Sequence, residues 1–189
     1  MKPIVSSEER DQQVALFDAL FELHRRALYG FHLGRAGNAE TAADLLQETF
    51  LRAWCQIGTL QAMPPEQRGF WLFRVARNLS IDHHRRAPRN EEVLEENWGD
   101  SAWSGDDPTG IAENREMTAR VHAALLQLPT ELREVLCLQV MGDLNSREIG
   151  QLLDRPPGTV RYQISQARRR LELQLGLASN SPASEAQLS

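Results

Sequence analysis

Cysteine is scarce in this chain: Cys55 and Cys137 are its only two. They lie far apart, each inside an apolar run, and read as buried thiols rather than a disulfide or half of a zinc site. Long apolar runs are missing as well. Nothing is long enough to cross a membrane, and the start lacks the basic, apolar, small-residue order of a signal peptide, so the chain is expected to stay in the cytoplasm. No basic excess exists either: 21 basic against 26 acidic side chains give −5 over 189 residues. Taken whole, that argues against a polyanionic partner. Neither nucleophile–base pair, carboxylate pair nor phosphate loop can be assembled, which leaves no catalytic residue, no cofactor and no enzyme to expect. The adjacent His83 and His84 cannot both face one site on a helix, so no metal is expected. What remains is an ordinary globular composition, 41% hydrophobic and 25% charged, on a chain sized for one compact domain or two small ones.

The acidity is confined to one stretch. Residues 88–115 carry Arg89 and Arg115 against Glu91, Glu92, Glu95, Glu96, Asp100, Asp106, Asp107 and Glu113, a net −6. Residues 1–87 come to +1 and residues 116–189 to zero. The acidic stretch also holds Pro88, Gly99, Gly105, Pro108 and Gly110 without periodicity, the mark of a flexible, solvated linker. Trp98 and Trp103 are unusual in a tether and suit docking on a neighbouring surface. Outside the linker the basic residues are arginine, apart from Lys2.

Between residues 14 and 33, Leu16, Leu20, Leu23, Ala27, Leu28 and Phe31 recur at helical spacing. Gly34 to Asn38 reads as a turn, with Asn38 the N-cap of a second helix. That helix turns Ala42, Leu45, Leu46, Thr49, Phe50, Ala53 and Trp54 inward and gathers Asp44, Gln47, Glu48 and Arg52 in one polar strip. A solvated face would look the same. After the break at Met63-Pro64-Pro65, residues 70–86 place Trp71, Leu72, Val75, Ala76 and Leu79 on one face. Arg74, Arg77, Ile81, His84 and Arg85 lie roughly opposite, with Phe73 and Asn78 at the margins. Arginines mixed with an aromatic ring and an amide suit unpaired nucleic acid, where cations meet phosphates and rings stack on bases.

The C-terminal part reads as a helix over about 117–127, then one capped by Thr130. Asn145 and Glu148 form a capping-box pattern opening a short helix. A turn over 154–158 leads to a longer basic helix with Val160, Ile164, Ala167 and Leu171 buried. This is a helix-turn-helix pattern, whose second helix enters the major groove. Its exposed row is Thr159, Arg161, Tyr162, Gln163, Ser165, Gln166 and Arg168. The glutamines can pair with adenine edges, and Arg168, Arg169 and Arg170 can hold the backbone.

Together the runs DLLQETFLRAW (44–54), FWLFRVARNLSIDHHRR (70–86) and LPTELREVLCLQVMGDLNSREIGQLLDRPPGTVRYQISQARRRL (128–171) resemble the bacterial RNA polymerase sigma factors of the extracytoplasmic-function (ECF) group. The resemblance implies an all-α chain of two small helical domains, sigma regions 2 and 4, joined by the flexible acidic linker. Residues 14–87 and 116–176 would be those domains, with tails at 1–13 and 177–189. It further implies that Asp44, Gln47, Glu48 and Arg52 dock on core RNA polymerase, and that Phe73, Arg74, Arg77, Asn78, Ile81, His84 and Arg85 meet the −10 element. The loop 56–69 would help capture a base flipped from the melted non-template strand. Thr159, Arg161, Tyr162, Gln163, Ser165, Gln166, Arg168 and Arg169 would read duplex −35 DNA, and an anti-sigma factor is an expected partner.

Two departures stand out. The family commonly carries basic residues where this chain has Gln163 and Gln166, and a small one at Tyr162, so the −35 sequence read here is expected to differ. The Pro156-Pro157 pair stiffens the turn. Rival readings are a self-contained helix-turn-helix regulator, which would bind duplex tightly without polymerase, and a sigma-like decoy, which would not need Arg74, Arg77 and Arg85.

Overall fold

The computed structural model describes residues 6–86 and 111–177, with side chains in the second stretch from Met117 onward. Most of the acidic linker, with Trp98 and Trp103, and the tail after residue 177 lie outside the described residues. The regular elements described are all helices: α1 (Ser7–Ala36), α2 (Ala39–Cys55), α3 (Ile57–Ala62), α4 (Pro65–Arg86), α5 (Ile111–Leu126), α6 (Thr130–Val140), α7 (Ser146–Leu153) and α8 (Pro157–Gln174).

Several boundaries move for identifiable reasons. Ser6 Oγ accepts from Glu9 N at 3.2 Å and starts α1 well before Val14, with Glu8 and Glu9 complementing the helix dipole. The expected turn at Gly34 is helix. An added Cβ there would lie 2.9 Å from Cys137 Sγ, so the glycine lets α1 and α6 approach closely. Asn38 caps α2 as expected, its Oδ1 accepting from Thr41 N at 2.8 Å. The expected loop 56–69 is largely helical, because Pro65 opens α4 at a position where a missing N–H costs nothing. Thr130 is the first residue of α6 rather than its cap. Pro129 holds that place with no side-chain bond, its ring fixing the extended backbone ahead of the helix. Helix α5 begins at Ile111 and takes in the end of the stretch read as linker.

The first four helices bury Leu20, Leu28, Phe31, Phe50, Ala53, Leu60, Leu72 and Ala76. Leu23 was expected inside but is 73% exposed. The inward strip of α1 runs instead through Phe17, Leu20, Phe21, Leu28 and Phe31, with Phe17 and Phe21 packed on Phe50. Inside this bundle His32 of α1 is fully buried, its Nδ1 3.1 Å from Ser80 Oγ on α4 and its Nε2 3.0 Å from Thr49 Oγ1 on α2. A neutral imidazole has one N–H, so one hydroxyl accepts from the ring and the other donates to it. Burial first, then repulsion from Arg35, lowers the His32 pKa to about 3.

Helices α5 to α8 form a second bundle around Val135, Leu138, Ile149, Leu152, Val160 and Ile164, with Leu125, Leu128, Leu136 and Ala167 in a smaller cluster. The two bundles touch. Besides Gly34 and Cys137, His122 Nε2 bonds Leu33 O at 3.3 Å and Arg133 Nη1 donates to Gly34 O at 3.3 Å. Burial raises the Cys137 thiol to about 11, leaving it an inert packing group.

Candidate nucleic-acid interface

The α7–α8 unit is built from its caps outward. Asn145 Oδ1 accepts from Arg147 N and Glu148 N at 2.9 and 3.1 Å, while Glu148 Oε2 accepts from Asn145 N at 2.8 Å. This is the expected box. Asp154 ends α7 in the left-handed region, φ 54°, and Arg155 N returns to Gly150 O at 2.9 Å. Gly150 is required there: a Cβ would meet Arg155 O at 2.6 Å. Pro156 and Pro157 then launch α8, which buries Val160, Ile164 and Ala167.

That packing leaves Thr159, Arg161, Tyr162, Ser165, Arg168 and Arg169 exposed, with Gln163 and Gln166 half-buried. Three contacts fix parts of the row. Gln166 Nε2 donates to the Tyr162 hydroxyl at 2.5 Å, Arg168 Nη2 donates to Gln139 Oε1 of α6 at 2.9 Å, and Arg155 Nη1 donates to Gln163 Oε1 at 3.1 Å. Arg155 was not among the residues expected at this surface. Its place on the turn, one residue before the prolines, was the available signal.

On α4, Arg74, Asn78, His84 and Arg85 are exposed and Ile81 half-buried. Phe73, expected at the margin of this strip, is 1% exposed and packs edge-on against Phe31. The α6–α7 turn of the other bundle also approaches it: a Cβ added at Gly142 would lie 3.3 Å from Phe73 Cδ1. Arg77 is not free either. Its Nε donates to Glu134 Oε1 at 3.0 Å, and Arg35 Nη1 lies 2.8 Å from the same oxygen. Arg35 and Glu134 are both buried, and burial lowers the Arg35 pKa against the opposing pull of Glu134. Arg35 Nε and Arg133 Nε are buried without a hydrogen-bond partner among the described residues.

On α2, Asp44, Gln47 and Arg52 are exposed and Glu48 is half-buried, with Arg52 Nε donating to Glu48 at 3.0 Å. The strip is less polar than expected. Leu51 lies beside it, 55% exposed, and Trp54, expected inside, is 40% exposed with one edge on Phe17. Cys55 is exposed, not buried. It follows Leu51 by four residues and Arg52 by three, so it shares their outward face. Among the described residues no cluster of His, Cys, Asp or Glu could hold a metal, and no helix is long and apolar enough to cross a membrane.

Two family models match this chain: Sigma-70 region 2 over residues 20–90 and Sigma-70 region 4 over residues 118–171. The ECF RNA polymerase sigma factor SigL of Mycobacterium tuberculosis is 34% identical over 164 residues, covering 86% of this chain and 90% of its own length. SigW of Bacillus subtilis is 28% identical, covering 93% and 96%. Among solved structures, the sigma factor RpoE of Bartonella quintana, in complex with the anti-sigma factor NepR, aligns with a TM-score of 0.65 at 21% identity over 86% of this chain and 98% of its own. CnrH in complex with the cytosolic domain of CnrY gives 0.59 at 24%, over 86% and 89%. At these identities the two structures establish a shared all-α fold.

Proposed function

This chain belongs to the ECF group of RNA polymerase sigma factors, the subunits that direct core polymerase to promoters, and from that membership we propose how its surfaces divide the work. The α2 strip, Asp44, Gln47, Glu48 and Arg52 with the adjoining Leu51, docks on core polymerase. Exposed apolar area beside charges favours this role, since burying it supplies affinity while the charges set register. Helix α8 reads the duplex −35 element through Tyr162, Gln163, Gln166 and Arg161, with Arg169 on phosphate. Helix α4 holds the melted −10 strand through Arg74, Asn78, Ile81, His84 and Arg85. Arg77 joins them once Glu134 releases it, so engagement of the −10 strand and separation of the two bundles are linked steps. The protein has no catalytic chemistry of its own, acts in the cytoplasm, and is held in reserve by an anti-sigma factor.

The observation that carries this reading is the exposed row of α8, set on a capped α7 and accompanied in the same chain by the arginine-bearing α4. A stand-alone regulator would have no use for the second surface. The test is to add the purified chain to core polymerase and map transcripts from its own genome. New promoter-specific starts are expected; their absence would sink the proposal.

A further inference from the structure

Gln163 faces the groove with one end of its amide already committed. A guanidinium can only donate, so the atom 3.1 Å from Arg155 Nη1 must be the carbonyl oxygen of Gln163. The amide orientation is thereby assigned by chemistry, and the NH2 end is the one left to meet a base. Arg155 is itself well placed to impose this. Its backbone N–H is tied to Gly150 O, its carbonyl rests on Gly150 where no side chain could fit, and Pro156 follows it.

A free glutamine reads adenine with both ends at once, accepting from N6 and donating to N7. Here an adenine N6 donor would have to share an oxygen that already accepts from a guanidinium, with the positive charge of Arg155 beside it. A cation so placed weakens that oxygen toward the N6 donor and favours an electron-rich base edge instead. Guanine offers two acceptors on that edge, N7 and O6, either of which suits the Gln163 NH2. We propose that Arg155 is a positioning residue for promoter specificity, converting Gln163 from an adenine reader into a donor that selects guanine in the −35 element. The proposal rests on the placement of α8 in the major groove argued above, and goes beyond it by assigning a base and a cause.

The test uses holoenzyme reconstituted from core polymerase and the full chain, selecting from promoter duplexes with a randomised −35 region. Wild type is compared with Gln163→Ala, Arg155→Ala and Arg155→Lys. Gln163→Ala should abolish base preference at one position, where wild type favours guanine over adenine by about tenfold or more. At that same position Arg155→Ala should turn the preference to adenine, while Arg155→Lys, which keeps a donor but not the fork, should retain part of the guanine preference. A uniform loss with Arg155→Ala across all four bases, with the salt dependence flattened by about one phosphate contact, would overturn the proposal in favour of backbone binding. Wild-type preference for adenine at that position would overturn it too. If Gln163→Ala alters no position, the groove placement of α8 itself fails, an outcome distinguishable from the others.

Discussion

Arg77 on α4 and Glu134 on α6 form a 3.0 Å hydrogen-bonded ion pair across 57 residues of sequence. The same carboxylate oxygen also faces the buried Arg35 at 2.8 Å. Two cations therefore share one acid at the boundary between the bundles, one of them from the strip proposed for promoter DNA.

Glu134→Gln should leave Arg35 as an uncompensated buried charge. Removing one partner of such a pair costs about 3–5 kcal/mol, and the loss should appear in urea denaturation of the full chain. Arg77→Gln should cost much less, because Arg77 is more exposed and Arg35 retains its acid. Fluorescence energy transfer between labels on α2 and α8 should report wider separation for Glu134→Gln than for Arg77→Gln; equal distances in both would contradict this assignment.

Gly34→Ala would place a methyl 2.9 Å from Cys137 Sγ. The helices must part, at about 1–3 kcal/mol for overpacking. Adding Cys137→Ala removes the obstructing sulfur, so the double variant should be more stable than the two single losses added together. Strict additivity in thermal melts would show that the contact is not the cause.

Acidification should weaken the fold through His32. Its folded pKa is about 3, so as pH falls through about 6.5 the unfolded chain takes up a proton that the folded chain refuses. The His32 contribution is fully present above that pH and is lost toward pH 3, by about 1.4 kcal/mol per pH unit. His24 and His122, also shifted downward by burial, act in the same direction. His32→Leu should flatten the slope of urea midpoint against pH; an unchanged slope would assign it to other groups.

Asn145→Ala should cost about 1 kcal/mol through loss of the α7 cap. Because α7 supports α8, −35 duplex binding should weaken at temperatures near the melting point and recover on cooling. A loss equal at all temperatures would mean that Asn145 touches DNA.

Asp44→Ala and Gln47→Ala, both on exposed positions, should leave stability within about 0.5 kcal/mol while lowering affinity for core polymerase at least tenfold. Fluorescence anisotropy against purified core measures it. Unchanged affinity would move the docking surface elsewhere.

The elements that were legible in the sequence are those decided locally. The Asn38 cap, the Asn145–Glu148 box and the stripe Val160, Ile164, Ala167 depend on neighbours within a turn or two. Phe73 and Arg77 were not legible in this way. A helical wheel places both off the Leu72 and Ala76 face, and their partners are distant in sequence: Phe31 of α1 and the α6–α7 turn for Phe73, Glu134 of α6 for Arg77. Glu134 escaped notice for the same reason, since its partners are distant in sequence. Leu23 and Trp54 show the converse: apolar spacing marks them as inward, yet Phe17 and Phe21 fill the place facing Phe50. Arg155 lay in a turn, where helical spacing says nothing and only its place before Pro156 could mark it.

The imidazole of His32 on α1 ties α2 and α4 together, and this has a consequence for building new sigma factors from parts. Thr49 sits on α2, which carries the strip proposed for polymerase, Ser80 on α4, which carries the strip proposed for the −10 element, and His32 on α1. A chimaera that takes one of these helices from a relative lacking its member of the trio leaves the other two buried and unmatched. The three side chains behave as a single heritable joint, to be exchanged together or left alone.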